Sequence, residues 1–111
     1  MSWDIELIKT ANNNEEMVDI DESVIVGMSK VDVISSVVAN FPEIDTEDDS
    51  WLIFESGNVS FEVNTGSEDT ADTVVFMINE LDDEAGFLRK LKQICSSLDC
   101  RAFDTTRGEF I

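Results

Sequence analysis

Histidine is absent from this chain of 111 residues, which also has only two cysteines, one proline and five glycines. Without histidine there is no imidazole base, so the common Ser-His and Cys-His catalytic arrangements are excluded. Gly57, Gly66 and Gly86 stand alone in the sequence, so no glycine-rich loop is available to hold a phosphate group. These absences favour a protein that binds a partner over an enzyme, and they assign no catalytic residue.

The cysteines and the acidic stretches do not form a recognisable metal site. Cys95 and Cys100 lack the Cys-x-x-Cys spacing, and two thiols without histidine cannot complete a zinc site. We expect two buried thiols, with a disulfide as the alternative. The acidic stretches that begin at Asp45 and Asp19 lack the glycine and glutamate that an EF-hand requires at its sixth and twelfth positions. We therefore expect neither a metal nor a cofactor.

Long apolar runs are also missing. No stretch approaches the roughly 18 apolar residues of a membrane span. The start at 1–4 shows no basic region followed by an apolar run, so we expect a cytoplasmic protein without membrane contact. The length and the 42% share of hydrophobic residues are typical of one globular domain, residues 1–111, with one core.

Charge is what the sequence has in excess. Seven basic residues face 25 acidic ones, for a formal net charge of −18. Lys9 and Lys30 are the only basic residues of the first 88, which hold 22 acidic ones, whereas residues 89–111 carry a net charge of +2. A negative field repels nucleic acids and anionic membranes and favours a basic protein partner. The alternative is that the charge serves only solubility.

Hydrophobic spacing predicts an α+β fold. We predict strands at residues 3–9, 51–55, 59–64, 73–79 and 101–104, and a possible last strand at 109–111. A long surface loop covers 11–23, and 24–26 is either a short strand or a buried approach to the first helix. The order is β-α-β-β-β-α-β-(β), with two helices packed on one face of a mostly antiparallel sheet.

Each helix has a predicted start and a predicted buried face. The first covers about residues 29–41, with Ser29 as N-cap, Asp32 completing a capping box, and Val31, Ile34, Val38 and Phe41 at helical spacing. The second begins at the acidic residues 82–84, which suit the positive end of a helix dipole, and its apolar face runs from Phe87 to Leu98.

The two middle strands form a predicted hairpin whose outer face is the candidate binding surface. A two-residue turn at Gly57-Asn58 pairs Phe54 with Phe61 and Leu52 with Val63, on the side that meets the helices. The opposite side then carries the candidate partner-binding residues Trp51, Ile53, Glu55, Glu62 and Asn64, together with Ser60. Tryptophan is a common anchor at interfaces. Trp3 is a second candidate on the same sheet, and a covering loop or N-terminal strand is the alternative.

Three segments resemble small bacterial proteins of uncharacterised function. They are Trp3-Asp4-Ile5, the hairpin from Trp51 to Gly66 with its Phe-Glu-Val-Asn-x-Gly strand, and the closing Arg-Ala-Phe-Asp segment with its later glycine, from Arg101 to Phe110. The resemblance implies a histidine in the third strand and a glycine pair after it, which this chain lacks at 75–82. It implies no activity. By analogy of size and charge it suggests an immunity protein against a secreted toxin.

The leading hypothesis is thus a non-enzymatic inhibitor or immunity-type protein that binds a basic partner. One alternative is a small-ligand or carboxylate-based enzyme module that uses Glu55, Glu62 and Asn64. The other is a nucleic-acid mimic, which needs carboxylates in regular rows. The sequence does not predict an oligomeric state.

Overall fold

The fold is known from a computed structural model that describes residues 3–111. Met1 and Ser2, on which the expectation about a targeting segment partly rests, lie outside the described residues. The α-helices are α1 (Lys30–Asn40) and α2 (Glu84–Leu98), and a single 3-10 turn at Met17–Asp19 interrupts the predicted surface loop. The strands are β1 (Trp3–Ile8), β2 (Met28–Ser29), β3 (Trp51–Ser56), β4 (Val59–Asn64), β5 (Thr70–Ala71), β6 (Thr73–Glu80), β7 (Arg101–Asp104) and β8 (Glu109–Phe110).

Six of these strands form one sheet in the order β3-β4-β6-β1-β7-β8, and every neighbouring pair is antiparallel. Both helices contribute to one hydrophobic core with one face of this sheet. The predicted α+β fold is therefore confirmed. Among residues 3–111, neither helix is long and apolar enough to cross a membrane.

The core lies between the helices and the sheet face that the alternation predicts. In β1, Ile5 and Leu7 are fully buried, while Asp4 and Glu6 on the other face are partly exposed. The other fully buried core side chains come from both layers: Val33, Val37, Leu52, Phe61, Val63, Val74, Phe76, Leu91 and Ile94. The helices pack against this face, so the opposite side is the sheet face that they leave open.

Helix α1 begins where predicted but differs in its capping and in part of its buried face. Ser29 is the N-cap, but its side chain makes no capping hydrogen bond, so the capping box with Asp32 is wrong. Val31 is 72% exposed, whereas Val33 and Val37 are fully buried. Valine occurs on several sides of this helix, and packing against the sheet rather than local spacing selects the buried side.

Helix α2 follows its prediction closely. Asp83 is the N-cap and its Oδ1 accepts a hydrogen bond from the Gly86 backbone N–H at 3.0 Å. Phe87, Leu91 and Ile94 line its buried face. The contrast with α1 arises because here the apolar residues lie along one side and charged residues along the other.

The segment before α1 contains a pairing that the sequence does not show. Ile25 makes only a single bridge, to Thr10, and the strand lies instead at 28–29, where it pairs with 70–71. Two-residue strands are too short to display an alternating pattern. Gly27 allows this pairing, since a Cβ there would come within 2.2 Å of Thr70 Cγ2.

Candidate functional site

The hairpin β3–β4 positions the predicted binding residues. Gly57 has a φ of +59° and is the first central residue of the two-residue turn, where a type II′ turn needs glycine. The predicted register is confirmed: Trp51 lies opposite Asn64, Ile53 opposite Glu62, and Glu55 opposite Ser60. All five predicted site residues therefore project from one side of the sheet, away from the helices.

Trp51 and Glu62 are joined directly on this side. The Trp51 indole Nε1 donates a hydrogen bond to Glu62 Oε1 at 2.7 Å, a diagonal contact between neighbouring strands. Trp51 remains 38% exposed, and Ile53 beside it is 40% exposed. The hydrogen bond holds the indole in place while leaving part of its ring surface free for a partner.

The outer edge of β3 is covered by backbone. Asp45 N–H donates to the Ile53 carbonyl at 2.8 Å, Ile53 N–H donates to the Asp45 carbonyl at 3.2 Å, and Trp51 N–H donates to the Asp48 carbonyl. The Trp51 N–H and both backbone groups of Ile53 are therefore already paired, so no further strand can be added along them. Side chains of the sheet face are the groups that this surface leaves open.

The strand order extends the predicted surface into two rows of side chains. Directly opposed residues of antiparallel strands share a face, so the pairing places Asp45, Ile53, Glu62, Met77 and Asp4 in one row. The second row contains Trp51, Asn64, Val75, Glu6, Phe103 and Phe110. These two rows, with Glu55 and Ser60, are called the open face below.

The first row alternates acidic and apolar side chains. Ile53 separates Asp45 from Glu62, and Met77 separates Glu62 from Asp4. Because neighbouring strands lie about 4.8 Å apart, successive carboxylates of this row are about 10 Å apart. The sequence could have indicated Met77 and Glu6 through the alternation in their strands, but it could not place those strands beside the hairpin.

The described strands of this sheet carry a single basic residue on the open side, Arg101. Its guanidinium lies 4.0 Å from the centre of the Phe110 ring, and Nη1 donates to the Glu15 carbonyl at 2.9 Å. Arg101 is thereby engaged with the surface loop rather than with the carboxylates of the first row. The potential over the hairpin side of the open face is negative.

The surface loop covers only one end of this side of the sheet. Ile8 projects to the open side beside Arg101 yet is only 3% exposed, and the loop reaches Arg101 through Glu15. The N-terminal strand lies within the sheet, next to β6, and does not cover the hairpin. Trp3 projects to the helix side, where its Nε1 donates to Asp104, so it does not belong to the open face.

The three polar residues of the enzyme alternative do not converge in a cavity. Glu62 accepts from Trp51, and Asn64 Oδ1 accepts the Gly66 N–H at 2.9 Å. Glu55 is exposed beside Ser60, and neither of two cavities found among residues 3–111 is lined by any of the three. At these residues the sheet presents an open surface and not a cavity that could enclose a small ligand.

The acidic loop before β3 uses its carboxylates in turns. Asp45 Oδ1 accepts the Glu47 N–H, and Asp48 Oδ1 accepts both the N–H and the hydroxyl of Ser50. The Ser50 hydroxyl is the main reason why the pKa of Asp48 lies below its ordinary value. Residues 3–111 contain no group of three carboxylate or thiol side chains arranged to hold a metal ion.

Both cysteines are free thiols. A hydrogen bond between their sulfur atoms raises the pKa of Cys95 and lowers that of Cys100. Cys100 is 8% exposed, and its backbone N–H donates to the Cys95 carbonyl at the end of α2. This pair lies at the end of α2 and takes no part in the open face.

Lys30 fixes the end of β4 from the helix side. It is only 6% exposed, and its Nζ donates to the Gly66 carbonyl at 2.6 Å. Gly66 in turn binds Asn64 through its N–H, and Thr65 N–H donates to the Ser50 carbonyl next to Trp51. The buried Lys30 ammonium thus supports residues 64–66, which include Asn64 of the second row.

Replacing Lys30 with methionine should lower the free energy of unfolding by about 2 kcal/mol, because the charged hydrogen bond is lost and the Gly66 carbonyl is left without it. Urea denaturation followed by circular dichroism measures the change. Lys92→Met on the exposed side of α2 is the matched control and should change stability by less than about 0.5 kcal/mol. Equal losses in both variants would contradict the anchoring role.

Comparison with known proteins adds no relative to this description: no protein-family model, no curated protein and no solved structure matches the chain. The resemblance to small bacterial proteins stays a prediction. The open face and the charge of the chain are therefore the features that bear on its function.

Proposed function

We propose that this chain is a non-enzymatic protein-binding domain, an inhibitor or immunity-type protein that engages a basic partner through Trp51, Ile53, Glu55, Glu62 and Asn64. The observation that carries the proposal is the exposed Trp51–Ile53 pair set among carboxylates on a sheet face without an unengaged cation. We place it in the bacterial cytoplasm, where such a protein would block a toxin before secretion.

Charge and shape support a protein partner. A net charge of −18 attracts a basic protein over long range and speeds the encounter. At contact, the partly free indole of Trp51 suits an arginine or lysine side chain, which an aromatic ring face attracts. Glu62, held at 2.7 Å from that indole, is placed to pair with the same cation.

The spacing of the carboxylates favours this function over nucleic-acid mimicry. A DNA strand presents one negative charge at every nucleotide in unbroken succession. In the first row the carboxylates are about 10 Å apart, with Ile53 and Met77 between them. Apolar side chains between acids suit a protein surface, which offers both basic and apolar groups, better than a phosphate-binding groove.

Trp51→Ala should weaken binding to the basic partner by about 30-fold, because it removes a central aromatic anchor. Candidate partners are the basic products of neighbouring genes, tested by co-purification and then by calorimetry. Val18→Ala, at a 90% exposed position in the surface loop, is the control and should leave affinity unchanged.

Glu62→Gln separates charge from contact, since the amide oxygen can still accept from Trp51. We expect it to slow association at low salt and to have less effect at high salt, whereas exposed Glu43→Gln should do neither. The proposal fails if no basic neighbour binds, if binding is insensitive to salt, or if Trp51→Ala binds as tightly as Val18→Ala.

A further inference from the structure

A second site lies on the helix side of the sheet, at the tip of the hairpin. A cavity of about 380 Å³ opens between the end of α1, the hairpin and the first turns of α2. Its volume lies within the range of small-molecule sites, about 300 to 1,000 Å³. We call it the aromatic pocket; the residues that matter to its chemistry are Phe41, Phe54, Val59, Phe87, Arg89 and Lys90.

The base of the aromatic pocket is a set of phenylalanine rings. The Phe41 ring centre lies 5.7 Å from that of Phe54, edge to face, and 5.7 Å from that of Phe87. Val59 and Leu81 line the same cavity and are only partly buried. These surfaces suit an apolar, flat group, which gains both burial and ring contacts there.

The mouth of the pocket carries most of the unpaired positive charge of α2. Lys90 Nζ lies 5.1 Å from the centre of the Phe41 ring, and Arg89 lines the same cavity. The ion pairs formed among residues 3–111 are Lys30–Asp49 and Arg107–Asp104, so neither Arg89 nor Lys90 is neutralised by one. Two free cations beside one cavity are notable in a chain with 25 acidic residues.

Two acids, Asp82 and Asp83, line the same cavity at the start of α2. Asp83 Oδ1 is occupied by the Gly86 N–H as the cap of α2, where the positive end of the helix dipole offsets a carboxylate. Asp82 directly precedes this cap and lies near the same helix end. The lining therefore holds as many carboxylates as cations, and an anion is favoured only beside Arg89 and Lys90.

We propose that the aromatic pocket binds a small monocarboxylate with an aromatic body, its ring against Phe41, Phe54 and Phe87 and its carboxylate toward Lys90 and Arg89. The site is independent of the open face, because Phe54 and Val59 project to the opposite side of the hairpin. The pocket requires one ring and one carboxylate. A free small molecule and the last residue of a peptide can both supply them.

The test is a titration of the full chain, labelled with nitrogen-15, with 3-phenylpropionate as the probe. Saturable shifts are expected at Gly86, Phe87 and Val59. The amide 3-phenylpropionamide should bind about tenfold more weakly, and the cation 3-phenylpropylamine more weakly still, because both lose the charged hydrogen bonds. Phenylalanine and an N-acetylated dipeptide ending in phenylalanine are then compared. Tighter binding of phenylalanine indicates a free ligand, and tighter binding of the dipeptide indicates a peptide terminus.

Lys90→Gln should weaken 3-phenylpropionate binding about tenfold. Lys92→Gln, on the same helix but outside the cavity, should leave it unchanged. Val59→Trp should abolish binding because the indole fills the pocket. If that variant does not fold, the comparison of Lys90→Gln with Lys92→Gln tests the proposal. The proposal is overturned if 3-phenylpropionate gives no saturable shift, if the amide or the amine binds equally well, or if Lys90→Gln and Lys92→Gln behave alike.

Discussion

Phe61→Ala is expected to lower the free energy of unfolding by about 4 kcal/mol, within the usual range for removing a buried phenylalanine. Phe61 is fully buried at the point where the hairpin meets both helices. Its ring centre lies 4.9 Å from that of Phe41, 5.0 Å from that of Phe54 and 5.3 Å from that of Phe87. Alanine would remove the ring that all three neighbours contact.

Phe61→Ala should also disrupt the aromatic pocket. Phe41, Phe54 and Phe87 form its base, and each rests on Phe61. Chemical denaturation followed by tryptophan fluorescence measures the stability change. Because a domain of this size has only about 5 to 15 kcal/mol of stability, Phe61→Leu provides a milder variant that should remain folded.

Phe103→Ala is the matched control for the loss of a ring. Phe103 is only partly buried on the open face, and within residues 3–111 its one close aromatic neighbour is Phe110, with the ring centres 5.1 Å apart. It should cost about 1 to 2 kcal/mol. If Phe61→Ala costs no more than Phe103→Ala, the ring cluster around Phe61 is not the centre of the core.

The hairpin could be predicted from the sequence because all of its determinants are local. The Gly57-Asn58 turn fixes the register, and alternation fixes which side each residue occupies. The placement of Trp51 beside Glu62 follows from these two facts alone. Helix α2 was predictable for a similar reason, since its cap and its apolar side both lie within one continuous segment.

The parts that the sequence did not predict depend on distant contacts. The bridge between Asp45 and Ile53 and the pairing of 28–29 with 70–71 join segments too short to show a pattern. The order of strands around β6 likewise has no local signal, and it decides that Met77 and Glu6 complete the open face. In α1, valine on several sides left the choice of buried face to tertiary packing.

Asp104→Ala is expected to lower the free energy of unfolding by about 3 kcal/mol. Asp104 is 1% exposed, and its Oδ1 accepts from Trp3 Nε1 at 3.0 Å and from the backbone N–H groups of Thr106 and Arg107. Removing this acceptor leaves three donors without their partner, each at a cost of about 1 to 3 kcal/mol when buried and less where water can enter. The exposed Arg107 side chain contributes little.

The pH dependence gives a sharper test of the same carboxylate. Burial alone would raise the pKa of Asp104, but the hydrogen bonds from Trp3 and from the Thr106 and Arg107 backbone outweigh it, and the pKa is lowered. A lowered pKa in the folded protein means stabilisation that is complete above the unfolded value of about 3.9 and is lost as the pH falls through the folded value. The stability difference between the native chain and Asp104→Asn should therefore shrink from about pH 7 to about pH 3.

Comparing the two proteins at each pH removes the general effect of protonating the other acids, which both share. Urea denaturation at each pH gives the free energies. Glu68→Gln, at an exposed position outside the helices and strands, is the control and should follow the native chain at both pH values. The opposite outcome is a stability difference between the native chain and Asp104→Asn that stays constant with pH. It would show that the negative charge of Asp104 does not stabilise Trp3 and the turn after β7.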